Sequence, residues 1–279
     1  MAINPNVIYT VAKKEFMDNV RNKWIVAMTV IFVILTIASS VMAGGGEMGE
    51  MDVTVGALLS IATILVPIIA IMLGYATISG EAESGALFVV LSYPVKRVEV
   101  LFGKFLGLAA VICLSVLLGF GSAGLIIGAT TENTQWVGYL TFILLTMLVG
   151  LVYLSLSICC SSLLKRRVTS LAAGILVFFW AMIVGMIYFG LLYTTGGSPE
   201  AFITGDMSEI PEWFWTDPFL SPGDGYQTAS MLAFGLTEIF GIEFDLPEWL
   251  NMGTIVLSQL LWLFIPFILA YYFFERRDI

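Results

Sequence analysis

The sequence contains no histidine and only three cysteines, Cys113, Cys159 and Cys160, all of which fall in apolar stretches. Catalytic dyads that use imidazole are therefore excluded, and zinc sites are disfavoured. The three thiols are not spaced as a disulfide framework, and packing as small hydrophobic side chains is their simplest role. We predict no catalytic residue, no metal site and no cofactor bound by this chain itself.

Charged residues are also scarce, at 12% of the sequence against 59% apolar residues. A soluble protein needs charges at about a quarter of its positions to cover its surface, so this shortage indicates that lipid is the solvent. The formal net charge of −9 would repel nucleic acid, and we expect no such partner, but in a membrane protein the placement of charges matters more than their sum. The sequence therefore predicts an integral membrane protein.

Several apolar runs are long enough to cross a bilayer as helices. A hydrocarbon core about 30 Å thick needs about 20 helical residues, because each residue rises about 1.5 Å. Six runs pass this test: residues 24–43, 54–79, 99–128, 136–160, 168–194 and 252–274. The predicted fold is all-α, a single transmembrane domain over residues 1–279 with six membrane-spanning helices.

Basic residues are segregated along these runs. All twelve lie before the first run, around the connections that follow the second and fourth runs, or after the last run. Fourteen of the twenty-one acidic residues, and no basic residue, belong to the connections on the other side. Lysine and arginine accumulate on the cytoplasmic side, so we predict a multi-pass protein of the cell membrane with both termini cytoplasmic.

Residues 1–23 precede the first run and carry a helical pattern. Ile8, Ala12, Phe16 and Val20 recur at every fourth position, while charged residues occupy other faces. This pattern predicts an amphipathic helix that lies on the cytoplasmic membrane surface. A solvated lead-in without that role remains the alternative.

The longest outer connection, residues 195–251, is too polar to span. Residues 226–242 are predicted to form a short helix on or in the outer leaflet, either as a cap over a pathway or as an interfacial anchor. Met42, Met48 and Met51 cluster on the same side, and thioethers suit Cu(I). No histidine or cysteine accompanies them, so we do not predict a copper site.

The predicted spans hold almost no titratable side chain. Glu99 and Lys104 lie at the cytoplasmic end of the third run, where long side chains are expected to reach the interface. Carriers that couple to protons or sodium usually place a charged residue at membrane depth, so an ion-coupled carrier is disfavoured. The chain also lacks a phosphate-binding glycine loop with its lysine, so any ATP hydrolysis must belong to another subunit.

The connection at residues 80–98 is the most informative segment. Charged residues open it, an apolar run follows, and a proline with a basic pair closes it. We predict one short helix over residues 82–92, with Leu87, Val90 and Leu91 on one exposed face. Pro94 is expected to end that helix and redirect the chain.

This segment resembles the first cytoplasmic loop of permease subunits of type-2 ABC transporters. That loop runs E-x-E-x-G-T-L, a short apolar run, P-x-x-R, and then G-K at the start of the third helix. The matching residues are Glu81, Glu83, Gly85, Leu87, Leu91, Pro94, Arg97, Gly103 and Lys104, whereas Ala86 replaces the usual threonine. In general appearance the chain is most similar to permeases associated with the maturation of copper enzymes.

The resemblance implies a function and a set of partners. Residues 1–23 correspond to the elbow helix, and residues 80–98 to the coupling loop that contacts a separate subunit holding ATP and Mg. The implied interface comprises Glu81, Glu83, Gly85, Leu87, Leu91, Pro94, Lys96 and Arg97. The family implies a homodimer or heterodimer of permeases, surrounded by membrane lipid, exporting a hydrophobic or amphiphilic substrate. A partner-free scaffold or channel is the alternative, and a membrane enzyme is a more distant one.

Overall fold

The computed structural model describes residues 3–44, 51–130, 135–195, 210–235, 238–239, 242–243 and 247–278. The first part of the chain forms helices α1 (Pro5–Val20), α2 (Lys23–Gly44), α3 (Met51–Gly74), α4 (Ser79–Glu83), α5 (Ala86–Leu91) and α6 (Arg97–Thr130). The next part forms α7 (Trp136–Leu163), α8 (Arg167–Phe178) and α9 (Trp180–Thr194). The remainder comprises a 3₁₀ helix (Glu212–Thr216), α10 (Asp217–Leu220), α11 (Pro222–Ala233), strands β1 (Glu238–Ile239) and β2 (Ile242–Glu243), and α12 (Met252–Glu275).

The helical content confirms the prediction of an all-α polytopic membrane protein. A single antiparallel pair of two-residue strands accompanies the helices in the described part of the chain. Five helical stretches among the described residues are long and apolar enough to span a membrane: Gly56–Glu83, Arg97–Gly128, Trp136–Leu163, Arg167–Thr194 and Met252–Glu275. The remaining predicted span corresponds to α2, which meets α1 at a bend of 68°. Counted together, these two helices are also long and apolar enough to span a membrane.

Helix α7 lies at the centre of the bundle, and its small polar side chains join it to its neighbours. Ser155 Oγ donates to the carbonyl of Leu263 in α12 at 2.7 Å. Ser157 Oγ donates to the carbonyl of Ile71 in α3 at 3.0 Å. Each hydroxyl satisfies a carbonyl in an apolar environment, so these bonds fix α7 against two other spans.

The helices α8 and α9 form the fifth predicted span and pack much less closely. A turn at Phe179 divides the predicted helix 168–194 in two. Only 11% of an apolar 18-residue stretch of this span is buried inside the chain, compared with 67% for the corresponding stretch of α7. The fifth span therefore exposes most of its apolar surface to whatever surrounds the subunit.

The two ends of the bundle differ in charge. Helix α7 has 28 residues and is therefore about 42 Å long. Gly138, near its start, lies against Ala233 and Phe234, whereas Arg277 contacts its last turn. We call the end that holds α1, α4, α5 and Arg277 the basic end, and the end that holds residues 210–235 the acidic end.

At the acidic end, one prediction about the long connection is wrong. The expected helix at 226–242 is instead α11, which begins at Pro222 and ends at Ala233. Ser221 caps its first turn by accepting a hydrogen bond from the Asp224 amide, and Gly235, with φ of 66°, turns the chain after it. The side chains of Met42, Met48 and Met51 lie outside the described residues.

Candidate functional site

Residues 80–98, which carry the resemblance, fold at the basic end as two helices rather than one. The prediction of a single helix over residues 82–92 is wrong, because α4 ends at Glu83 and α5 begins at Ala86. Gly85 lies between them with φ of 77°, a left-handed conformation that glycine adopts without a steric penalty. The glycine therefore allows α5 to leave the direction of α4.

The side-chain arrangement of α5 also differs from the prediction. Leu87 is completely buried in the core instead of facing outward. The exposed side chains are Phe88 at 65%, Val89 at 59% and Tyr93 at 66%. We call these three residues the α5 patch, and they form an apolar surface at the basic end.

Lys104 of α6 joins three elements at the basic end. Its Nζ lies 2.6 Å from Glu15 Oε1 of α1 and 2.6 Å from Glu81 Oε1 of α4, while only 2% of its side chain is exposed. The expectation that Lys104 reaches the interface is therefore wrong. A cation buried between two carboxylates holds α1, α4 and α6 together, because separating them would leave an unpaired charge.

Lys14 adds a second positive charge at the edge of this cluster. Its Nζ lies 3.8 Å from Glu15 Oε1 and 3.6 Å from Asp18 Oδ2. Partial burial works to lower the pKa of Lys14, but the negative charges of Glu15, Glu81 and Asp18 outweigh it and raise the pKa. Lys14 therefore stays protonated and supports the two carboxylates that Lys104 binds.

Glu99 is a second buried charge at the start of α6. Its Oε1 accepts a hydrogen bond from the Asn4 amide at 2.7 Å, and its Oε2 accepts one from the Lys96 amide at 2.9 Å. Only 3% of the residue is exposed, so the expectation that it reaches the interface is also wrong. Glu99 ties the beginning of α1 to the beginning of α6.

Helix α1 packs directly along α6 through two glycines. A Cβ atom at Gly103 would lie 2.6 Å from Val11 Cβ, and one at Gly107 would lie 2.5 Å from the carbonyl oxygen of Ala12. No side chain fits at either position without moving α1. The amphipathic helix predicted before the first span is thus present, and one of its faces is docked on the bundle.

Arg97 and Arg277 connect the basic end to two further helices. Arg97 Nη1 donates to the carbonyls of Phe274, Glu275 and Arg277, at 2.6, 2.9 and 2.9 Å. Arg277 Nη1 donates to the carbonyls of Ser161, Ser162 and Leu164 at the end of α7, at 2.9, 3.1 and 3.0 Å. A guanidinium at a helix C-terminus satisfies free carbonyls and complements the helix dipole. Arg97 thereby fixes the end of α12, and Arg277 fixes the end of α7.

The remaining residues of the predicted interface lie nearby in different environments. Glu83 Oε2 accepts a hydrogen bond from the Arg167 amide at 3.0 Å, which joins α4 to the first turn of α8. Gly85 and Pro94 are exposed, Leu91 packs partly against the core, and Lys96 is half-buried. The predicted set is therefore brought together at one end, but Glu81, Leu87 and Arg97 face other parts of this chain.

An open groove of about 560 Å³ lies between α4, α5, the end of α7 and the C-terminal segment. Its lining residues are Ala82, Glu83, Gly85, Phe88, Ser162, Leu163, Lys165, Phe273, Arg276, Arg277 and Asp278. Phe88 belongs to both the groove and the α5 patch. The basic end thus offers a continuous surface that combines exposed apolar side chains with charges of both signs.

Sequence reasoning did not identify the partners of Lys104 or the exposed side chains of α5. The available signal was a charged residue on the otherwise apolar faces of two helices, Glu15 in α1 and Lys104 in α6. Charges in such positions are seldom left unpaired. Glu15 and Lys104 are 89 positions apart in the sequence, so their pairing could be identified only from the three-dimensional structure.

Comparisons with known proteins agree with this architecture. A family model described as "ABC-2 family transporter protein" matches residues 9–279. The chain is similar to a protein of Stutzerimonas stutzeri named "Probable ABC transporter permease protein NosY", with 30% identity over 288 residues, covering 98% of this chain and 99% of that protein. It is similar to the protein of the same name from Pseudomonas aeruginosa, with 31% identity over 287 residues, 98% of this chain and 99% of that protein.

Proposed function

The chain belongs to the ABC-2 family and is a membrane permease subunit of an ABC transporter, and we propose that a separate ATP-binding subunit drives it by docking on the α5 patch. ATP and Mg bind to that partner in this scheme. The permease itself contributes a surface and a path across the membrane. It is a transporter subunit rather than an enzyme.

The observation that carries this proposal is the exposure of Phe88, Val89 and Tyr93 at the basic end. An exposed cluster of large apolar side chains needs a protein partner or lipid to cover it. The adjoining groove contributes Lys165 and Arg276, which can pair with carboxylates of a partner. A folded protein surface with apolar and charged groups matches this combination better than lipid tails alone.

The contacts of α4, which packs against α5, supply a route for coupling. A displacement of α4 would act on α6 and α1 through the ion pairs of Lys104, and on α8 through Glu83. Arg97 links the start of α6 to the end of α12. Because the bonds of Lys104 and the bond from Arg97 to Phe274 lie in buried or partly buried surroundings, breaking them is costly and the helix ends that they join move together.

The exposed fifth span is the surface that we assign to a second permease. Along α8 and α9, large apolar side chains remain uncovered, including Leu176, Met182 and Met186, with 66%, 57% and 63% exposed. A homodimer or a heterodimer would bury part of this surface, and lipid would cover the rest. We place the basic end in the cytoplasm, because lysine and arginine accumulate on that side.

The cargo that we propose is hydrophobic or amphiphilic, and we propose that it is transported outward across the membrane. An apolar groove of about 730 Å³ runs beside α12, where Thr254, Trp262 and Leu269 belong to its lining. Such a groove offers few polar groups to a hydrated ion. Native mass spectrometry of the purified assembly tests this point, since a retained amphiphile supports it and a retained polar solute contradicts it.

Affinity purification of the tagged chain from its native membranes in mild detergent tests the docking proposal. Phe88→Asp with Val89→Asp is expected to release a co-purifying ATP-binding subunit, because two desolvated carboxylates oppose the apolar contact. Tyr193→Asp is the matched control, since Tyr193 is 71% exposed at the end of α9, away from the patch.

The outcomes of this experiment separate the alternatives. Loss of the ATP-binding subunit in the double variant, with retention in the control, supports the assigned surface. Retention in both variants contradicts it. If no ATP-binding subunit accompanies the folded chain in any of several detergents, the partner-free scaffold or channel is the better account.

A further inference from the structure

Residues 217–233 at the acidic end, which we call the plug, comprise α10 and α11 and fill the space between α7, α9 and α12. Trp180 Nε1 of α9 donates to the carbonyl of Leu220 at 2.8 Å, and Trp262 Nε1 of α12 donates to that of Phe219 at 2.9 Å. Tyr226 is fully buried, and its hydroxyl lies 2.8 Å from Thr146 Oγ1 of α7. The plug is therefore held by hydrogen bonds to α7, α9 and α12.

Two carboxyl groups in the plug lack the partners that buried charges require. Asp217 Oδ1 and Asp224 Oδ2 are buried and have no hydrogen-bond partner among the described residues. Gln259 of α12, which is 2% exposed, donates from Nε2 to the Pro222 carbonyl at 3.0 Å, and its Oε1 also lacks a partner in the described part of the chain. All three unsatisfied atoms are acceptors, so the cluster is deficient in donors.

No basic residue of this chain can supply the missing donor. The sequence contains no lysine, arginine or histidine between Arg167 and Arg276. The titratable groups on the described residues around the pair are Tyr153 of α7, Tyr188 of α9, Tyr226 of α11 and Glu212 of the 3₁₀ helix, whereas α3 and α12 present none there. Tyr188 bonds to Thr216, Tyr226 bonds to Thr146, and Glu212 is exposed. None of these groups carries a positive charge.

The environment of the pair favours the protonated form. Burial, and then the negative charge of Asp224, raise the pKa of Asp217 to about 7 from its ordinary value of 3.8. Burial also raises the pKa of Asp224, although its hydrogen bond with Ser221 opposes that change.

We propose that the Asp217–Asp224 pair binds a proton from the solution at the acidic end when the plug is docked, and releases it to that solution when the plug opens. The bound proton turns one acceptor into a hydroxyl donor and removes one negative charge from the half-buried pair. The proton concentration at the acidic end thereby controls whether the plug stays docked. This inference does not depend on the identity of the cargo or of the ATP-binding partner.

The direction of the pH dependence follows from the raised pKa. A docked plug binds more protons than an open plug between the ordinary aspartate pKa of 3.8 and the docked value of about 7. The docked form is therefore most stable at low pH, loses stability as pH rises through that interval, and loses little more above it. For one such group the equilibrium shifts roughly tenfold per pH unit within the interval.

Hydrogen–deuterium exchange of the full chain in lipid nanodiscs tests this proposal. Peptides from residues 217–233 are followed at pH 5 and pH 8, after correction for the intrinsic pH dependence of amide exchange. Wild-type plug peptides are expected to lose at least tenfold in protection at pH 8. Asp217→Asn is expected to keep high protection at both pH values, because the amide is neutral and supplies a donor.

Two further variants separate the proposal from a general effect of charge or folding. Glu212→Gln removes an exposed acidic group beside the plug and is expected to retain the wild-type pH dependence. Asp224→Asn is expected to shift the transition to lower pH, because Asp217 then lacks the neighbouring charge that raises its pKa. This second shift remains measurable if Asp217→Asn fails to fold.

Several results would overturn the proposal. Equal protection of the wild-type plug at pH 5 and pH 8 would show that no proton controls it. A full pH dependence in Asp217→Asn would assign the titration to another group. Restoration of protection at pH 8 by millimolar Ca²⁺ would identify a metal-cation site instead of a proton site.

Discussion

Lys104 is the residue on which the basic end most depends, because it neutralises two carboxylates from different helices. Its Nζ contacts Glu15 and Glu81 at equal distances of 2.6 Å, and Glu81 Oε2 is buried without a hydrogen-bond partner among the described residues. Lys14 lies 3.8 Å from Glu15 Oε1, but its side chain is 59% exposed, so it compensates poorly for loss of Lys104. A change at this one position acts on α1, α4 and α6 together.

Lys104→Met is expected to destabilise the folded chain by roughly 3–5 kcal/mol, because it leaves the buried Glu15 and the partly buried Glu81 without the cation between them. Lys14→Met is the matched control. The Lys14 side chain is 59% exposed, so its ion pairs contribute less than about 1 kcal/mol. Thermal unfolding of both variants in detergent micelles measures the difference, and equal unfolding temperatures would contradict the role assigned to Lys104.

At the scale of elements, α1 docks on α6 through glycines. The two backbones therefore approach more closely than they would through bulky side chains. Gly103 and Gly107 lie one turn apart on α6 and leave space for the backbone of α1. The first helix is thereby joined to the same span that carries Lys104 and Arg97. Any movement of α6 at the basic end is shared by α1.

Gly107→Ala is expected to weaken this docking by roughly 1–3 kcal/mol, because the added Cβ would lie 2.5 Å from the carbonyl oxygen of Ala12. Gly121→Ala on the same helix has no neighbouring atom within 4 Å and is expected to be neutral or slightly stabilising. Limited trypsin digestion at Lys13 and Lys14 reports exposure of α1. Faster cleavage in Gly121→Ala than in Gly107→Ala would refute the close approach.

The predictability of each element follows from how local its cause is. The long spans could be predicted because apolar length alone requires them, and the helix predicted within residues 1–23 appears as α1 (Pro5–Val20). The break at Gly85 was missed because an isolated glycine is compatible with a continuous helix. Burial of Leu87 and pairing of Lys104 depend on which face meets the bundle, and a single pattern of apolar residues does not determine that face.

The same reasoning applies to the plug at the acidic end. Ser221 and Pro222 are a recognisable helix start, since serine caps and proline suits the first turn, yet the apolar pattern shifted the predicted helix to 226–242. The lack of basic residues there was visible in the sequence. The partial burial of Asp217 and Asp224 could be identified only from the arrangement of the helices around them.

The whole molecule is organised as two ends with opposite charge, joined by apolar spans. At the basic end, ion pairs and arginine contacts connect α4 to α1, α6 and α8, and connect α6 to α12 and α12 to α7. At the acidic end, the plug bonds to α7, α9 and α12. Force applied to α4 and α5 can therefore reach the helices that hold the plug, because α7 and α12 extend between both ends.

Site-specific photo-crosslinking in native membranes tests the docking of an ATP-binding subunit most directly. A benzoylphenylalanine at position 88, in the α5 patch, is expected to form an adduct with a protein that carries a phosphate-binding glycine loop. The same probe at position 193 of α9 is expected to form none with that protein. Adducts to lipid alone at position 88, or identical protein adducts at both positions, would contradict the account.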